Sequence, residues 1–209
     1  MTELILIRHG ETDWNAQQRI QGHLDVPLNR NGLSQADAIG QRFRSQSVDK
    51  LVSSDLARAM QTAEPIAKAC GLEIVEDARL RERHLGILQG KTREQAQQQV
   101  PDAFDVFRSR IAAAPLEDGE SLEVFARRVI DALTDLARLH NGKRVVAVTH
   151  GGVVDIAHRH ANDIALDAPR MSPILNTSVN TLRITNKRFE LVGWGDTRHL
   201  SGRQAIDEF

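Results

Sequence analysis

A chain of 209 residues with 27 basic and 28 acidic side chains has a formal net charge of -1, so it presents no broad positive field to nucleic acid or to an anionic membrane. Its single cysteine, Cys70, excludes an internal disulfide, and no apolar run approaches the ~20 residues of a membrane span. The length suits one core, and the acidic start Met1-Thr2-Glu3, where a signal peptide would be basic, leads us to expect a cytoplasmic protein.

The first apolar run, Leu4-Ile5-Leu6-Ile7, reads as a buried strand that stops at Arg8-His9-Gly10. In open α/β sheets the C-terminal strand ends are where ligands bind. A polar loop through Asn15, Arg19, Gln21 and Gly22 follows, and then a turn cluster from Pro27 to Gly32. Ser34 to Arg44 has helical spacing, and Asp49 to Ser53 is short enough for a second strand, closing a right-handed parallel strand-helix-strand unit. Ser53-Ser54-Asp55 offers capping oxygens to a helix through Ala67 that Gly71 stops and Pro65 should kink or split.

Leu72 to Val75 reads as a weak strand, and Arg79 to Gly90 as a charged loop with two glycines. Lys91 to Leu116 predicts one or two modest helices, broken at Pro101 and Pro115 and suited to a lid rather than a core. Gly119-Glu120-Ser121 opens the most amphipathic helix, with Leu122, Phe125, Val129, Leu133 and Leu136 on one stripe. Arg144 to Thr149 is a second fully apolar strand that ends in His150-Gly151-Gly152 before a helix from Val153 to about Ala161. A helix beginning at Gly151 would aim unpaired backbone N–H groups at whatever is bound near His150. Thr177 to Ile184 and Phe189 to Trp194 predict an antiparallel hairpin around Asn186-Lys187, and the tail from Gly195 to Phe209 has no core pattern.

Two histidines and two arginines (Arg8, Arg58) near strand ends, with the carboxylate of Glu82 in a glycine loop, fit phosphoryl transfer through a phosphohistidine. The nucleophile must be a neutral imidazole, which nearby cations favour while also pairing with phosphate oxygens. The second histidine would neutralise charge on the equatorial oxygens, and the carboxylic acid would protonate the leaving alkoxide.

Beyond this chemistry, the chain resembles the histidine phosphatase superfamily, in the branch of cofactor-dependent phosphoglycerate mutase and its phosphatase relatives. The resemblance rests on Leu-Ile-Arg-His-Gly-Glu-Thr-Asp-Trp-Asn at 6–15, Arg19-Ile20-Gln21-Gly22, Ser53-Ser54-Asp55-Leu56-Ala57-Arg58-Ala59, Leu80-Arg81-Glu82, Gly119-Glu120-Ser121 and Val148-Thr149-His150-Gly151-Gly152. It implies that His9 is phosphorylated, that Arg8, Arg58 and His150 form the phosphate pocket, and that Glu82 is the proton donor. Asn15, Gln21 and Gly22 would line the site, and Gly151 and Arg83 are counted with the substrate-binding residues. The implied fold is a three-layer α/β/α sandwich on a mostly parallel sheet: one domain over residues 1–209, with 82–120 as a lid or specificity segment.

Other mechanisms fit less well. A cysteine phosphatase needs Cys-x5-Arg, but Glu76 stands six residues after Cys70, and no Asp-x-Asp strand end is present. A metal site from His150, Asp155, His158 and His160 is disfavoured because residues two apart on a helix face different ways. His23, His84 and His140 read as solvated, with His84 close enough to Glu82 to tune it. A noncatalytic phosphate-binding module would be expected to have lost His9 or Glu82. Against a mutase stand the short connection of 38 positions from Glu82 to Glu120, the absence of any Tyr, and an arginine pair interrupted as Arg108-Ser109-Arg110. The expectation is therefore a metal-independent phosphatase that needs no cofactor and acts on a small phosphorylated metabolite. Mutase activity is the alternative, nucleic acid and membrane are not partners, and a homodimer is possible.

Overall fold

In the computed structural model, which describes residues 1–185, 188–202 and 204–207, a six-stranded sheet carries helices on both faces. The elements in chain order are β1 (Thr2–Arg8), α1 (Asp13–Ala16), α2 (Arg30–Phe43), β2 (Lys50–Ser53), α3 (Ala57–Cys70) and β3 (Ile74–Glu76). They continue with α4 (Arg93–Gln99), α5 (Pro101–Ser109), α6 (Leu122–Leu139), β4 (Arg144–Thr149), α7 (Gly151–Ala161), β5 (Val179–Thr185) and β6 (Arg188–Asp196). The strand order is β3-β2-β4-β1-β5-β6, parallel from β3 to β1 and antiparallel at β5 and β6. Among the described residues no helix is long and apolar enough to cross a membrane.

Strand alternation sorts the core into two layers. Leu4 and Leu6 of β1 join Val145 and Ala147 of β4 under the apolar stripe of α6 and the inner face of α7. Ile5 and Ile7, with Val146 and Val148, pack on the other face against Ile39 and Phe43 of α2 and Ile66 of α3. The result is the expected α/β/α layering on a mostly parallel sheet.

One feature of the first strand-helix-strand unit matters for the site. β1 and β2 are parallel but not neighbours, because β4 inserts between them. The register Arg8↔Thr149 then brings the ends of β1 and β4 side by side. Binding crevices form at such a change of strand order.

Several local expectations are corrected. The turn cluster before α2 is already its first turn, since the Asn29 side chain accepts from Gly32 N at 2.8 Å. α3 is one helix through Pro65, and its cap is not the Ser53-Ser54-Asp55 run: Leu56 is the N-cap, and Asp25 from a distant loop accepts from Ala57 N at 2.7 Å. Pro65 lies against Gly40 of α2, where a Cβ would stand 2.6 Å from the proline ring. Residues 85–116 are more than a lid, because Leu85, Leu88, Ala96, Phe104 and Leu116 bury one another in a third, smaller core. The turn expected at Asn186-Lys187 lies outside the described residues. The tail supplies one core residue after all: Leu200 is buried.

Candidate active site

β1 and β4 deliver His9 and His150 to one point. His9 N donates to Thr149 O at 2.8 Å, and the two imidazole rings meet edge to face with centroids 5.1 Å apart. Both are buried. Burial first, then the Arg58 guanidinium, pushes each pKa well below the ordinary histidine value, with Arg8 adding to the effect on both. Both rings are therefore neutral at pH 7.

The hydrogen bonds fix which nitrogen of each ring is available. His9 Nδ1 lies 2.7 Å from Gly10 O, a pure acceptor, so Nδ1 carries the proton and Nε2 keeps a lone pair. His150 Nε2 lies 2.8 Å from Ser54 Oγ, while its buried Nδ1 has no hydrogen-bond partner among the described residues. The Ser54 hydroxyl can give its own proton to Nε2, leaving Nδ1–H as a donor for a ligand oxygen.

Carbonyl groups aim the two arginines. Arg8 donates to Ile174 O at 2.5 Å and to Ile206 O at 2.8 Å. Arg58, at the start of α3, donates to Gly22 O at 2.7 Å and Leu24 O at 2.9 Å. The loop after β1 is held by a capping box in which Thr12 Oγ1 accepts from Asn15 N and Asn15 Oδ1 accepts from Thr12 N. Asn15 Nδ2 is left buried without a hydrogen-bond acceptor among the described residues. Gln21 Oε1 accepts from Thr12 Oγ1, and Gly22 takes a φ of +54°, a left-handed conformation that favours glycine.

Glu82 reaches the site from the loop after β3. Its Oε1 accepts from Arg83 N and its Oε2 from Gly152 N, both at 2.8 Å, so the second glycine of α7 fixes the carboxyl. Gly151, the first residue of that helix, is buried beside His150. Behind the loop, Arg128 of α6 donates to the carbonyls of Arg79, Arg81 and Glu82 and pairs with both carboxylate oxygens of Glu120. Glu120 in turn accepts from His84 N at 2.8 Å.

His9, Arg58 and Glu82 thus line one cleft, together with Gln21, Gly22 and Arg93 of α4. Arg83 lines an adjoining chamber on the other side of Glu82. Three contributors escaped the sequence reading. Ser54 was read as a cap and bonds His150, and Gly152 was not distinguished from Gly151. His23 was read as solvated but is partly buried, with Nε2 2.7 Å from Glu82 O and its ring edge on His84 at 4.7 Å. The remaining histidines of the disfavoured metal set pack on aromatic rings, His158 on Trp194 and His160 on Phe189, while Asp155 pairs with Arg110 and Arg159.

Comparison with known proteins identifies the family. A family model described as the histidine phosphatase superfamily (branch 1) matches residues 4–197. The chain is 42% identical over 202 residues to phosphoglycerate mutase-like protein 4 of Arabidopsis thaliana, covering 95% of this chain and 86% of the relative. It is 40% identical over 204 residues to the metal-independent phosphoserine phosphatase of the same organism, covering 96% and 84%. Among solved structures, Bacillus stearothermophilus YhfR matches with a TM-score of 0.87 at 34% identity, over 96% of this chain and 100% of that one.

Proposed function

Since the chain belongs to the histidine phosphatase superfamily, branch 1, we propose that it is a phosphomonoesterase that works through a phosphohistidine at His9. The observation that carries the reading is the His9 tautomer: a buried, neutral imidazole with Nδ1–H held by Gly10 O presents Nε2 as the attacking lone pair. In the first step Nε2 attacks phosphorus, the ester P–O bond breaks, and Glu82 gives its proton to the departing alkoxide. In the second, Glu82 takes a proton from water, the water oxygen attacks phosphorus, the P–N bond breaks, and phosphate leaves.

Arg8, Arg58 and His150 act on the phosphoryl group. Two guanidiniums and one neutral N–H donor, fixed before substrate arrives, meet the charge that spreads over the equatorial oxygens. Asn15 Nδ2 and the backbone N–H of Gly151 add donors, and Gln21 and Gly22 shape the wall that faces them. Residues 82–120 form the substrate-facing wall, with Arg83 on the leaving-group side of Glu82.

Hydrolysis is favoured over mutase chemistry by the fate of the interrupted arginine pair. Arg108 is exposed, and Arg110 is tied to Asp155 and to Leu166 O. A bisphosphate would therefore not find this arginine pair to hold it while it reorients. The test is release of phosphate from a panel of phosphomonoesters in the presence of EDTA, with 3-phosphoglycerate and 2,3-bisphosphoglycerate included to follow interconversion. Chelator-resistant hydrolysis faster than interconversion supports the reading. Bisphosphate-stimulated interconversion faster than any hydrolysis contradicts it.

A further inference from the structure

The residues Gln21-Gly22-His23-Leu24 form a turn, closed by Leu24 N donating to Gln21 O at 3.1 Å. The carbonyls on either side of His23 both face Arg58: Gly22 O accepts from its Nη2 at 2.7 Å and Leu24 O from its Nη1 at 2.9 Å. The next residue, Asp25, accepts from Ala57 N at 2.7 Å at the start of the helix that carries Arg58. The turn is thereby locked to the arginine that grips the phosphoryl group.

The His23 side chain reaches the other way, to the acid. Its Nε2 lies 2.7 Å from Glu82 O, a pure acceptor, so Nε2 carries the proton and donates. Its ring stands edge to face on His84, with centroids 4.7 Å apart and planes at 80°, and His84 is itself anchored by donation of its N to Glu120 at 2.8 Å. His23 N donates to Gln89 Oε1 at 2.7 Å, so the residue is held at its backbone as well as at its ring. Glu82 O also accepts from Arg128 Nη2 at 3.1 Å, but that bond ties the loop to α6. The His23 bond instead joins the Glu82 backbone directly to the turn that holds Arg58.

We propose that His23 is a positioning residue for the general acid: by bridging from the Arg58 turn to Glu82 O, it sets the distance between the Glu82 carboxyl and the phosphoryl group held by Arg58. The inference rests on the phosphomonoesterase reading given above. A general acid must come within hydrogen-bond reach of the leaving oxygen, and that oxygen is placed by the phosphoryl group, hence by Arg58 and His9. A Glu82 loop anchored to α6 alone would be placed relative to α6 and not to phosphorus. The bonds from Arg83 N and Gly152 N orient the carboxyl, and His23 spaces it across the cleft. A misplacement of about 1 Å can cost on the order of 10²-fold in rate. The cost of losing His23 should therefore fall on esters whose leaving group needs the proton.

The experiment measures kcat/KM for nitrophenyl phosphate and for the alkyl phosphate of the panel that turns over fastest, in the wild type, His23→Leu, His23→Gln and His23→Asn. The amide nitrogen of glutamine reaches as far as imidazole Nε2, whereas that of asparagine reaches only as far as Nδ1. His23→Leu should lower the alkyl-to-aryl ratio by about tenfold, through kcat. His23→Gln should restore most of the ratio and His23→Asn should not, a contrast that decides the matter if the leucine variant fails to fold. Competitive inhibition by inorganic phosphate, which reports on the Arg58 pocket, should stay within about twofold of the wild type in all three. Equal losses on the two esters, an unchanged ratio in His23→Leu, or glutamine and asparagine variants that behave alike would each overturn the positioning role. If the wild type hydrolyses both esters in those cases, the phosphomonoesterase reading stands and only this inference falls. A wild type that hydrolyses neither would overturn both.

Discussion

Gly152 N donates to Glu82 Oε2 at 2.8 Å, and a Cβ built on Gly152 would stand 2.1 Å from Glu82 Oε1. The carboxyl is therefore seated where only glycine leaves room. Gly152→Ala should push Glu82 out of place while leaving β1, β4 and the phosphate pocket intact. We expect kcat/KM for an alkyl phosphate to fall by roughly 10- to 100-fold, approaching the loss of an acid catalyst, with a smaller loss for nitrophenyl phosphate, whose leaving group needs little protonation. Equal losses on the two substrates would show that the contact serves folding alone.

Glu82→Gln removes the proton itself. Alkyl phosphates should slow by ~10²- to 10⁴-fold and nitrophenyl phosphate far less. His150→Ala should slow both alike, since it acts on the phosphoryl group. Steady-state kinetics on the two ester classes distinguish these patterns.

Glu120 and Arg128 hold the Glu82 loop by its backbone, so their loss should mimic a weaker form of the Glu82 defect. Arg128→Met removes a donor from three loop carbonyls and from the Glu120 carboxylate, which then keeps, among the described residues, only the bond from His84 N. A stability loss of about 1–3 kcal/mol is expected, at the lower end because both side chains are partly solvated. Urea denaturation gives the stability change, and the ratio of alkyl to aryl turnover shows whether the loop has shifted. An unchanged ratio would limit the clamp to a role in stability.

Both active-site histidines have pKa values lowered by burial and by the arginines, so the native state disfavours their protonation. Above the unfolded histidine pKa of ~6.5 the two states bind the same number of protons, and the stability is fully present. Below it the unfolded chain takes up protons that the native chain does not, and stability falls as pH falls toward the native values, by up to about 1.4 kcal/mol per pH unit for each histidine. Urea midpoints between pH 7.5 and 5 should decline in the wild type and decline less in His9→Asn. The acidic limb of kcat/KM should likewise lie below pH 6.5. A midpoint that stays flat over this range would contradict the buried neutral pair.

The described part of the tail is tied to Arg8 and to the segments around it. Ile206 O accepts from Arg8, Ile206 N donates to Asn176 Oδ1, and Gln204 O accepts from Gln35 Nε2 at 2.6 Å. Truncation after Gly202 should raise KM for all phosphomonoesters about equally, because it loosens Arg8, while unfolding remains cooperative. Unchanged kinetics would remove the tail from the account of the site.

Much of this was legible in the chain because the site sits at strand ends. The runs Leu4–Ile7 and Val145–Val148 are unmistakable as buried strands, and each hands off to His-Gly. Their adjacency was not legible: it depends on β4 entering between β1 and β2, a pairing across some 140 positions that no local pattern encodes. Ser54 illustrates the same limit, since it has the chemistry of a helix start and the distant His150 gives it its use. His23 was assigned to solvent because its partner is a backbone carbonyl, which leaves no mark in a sequence. Pro65 misled in the opposite sense, for α3 continues through it.

The central claim is a covalent phosphoryl group on His9 Nε2. Rapid quench of the wild type with ³²P-labelled substrate should trap an acid-labile, base-stable phosphoenzyme during turnover, and His9→Ala should yield none and lose hydrolysis. An equally labelled His9→Ala enzyme, or one with near-normal turnover, would contradict the account.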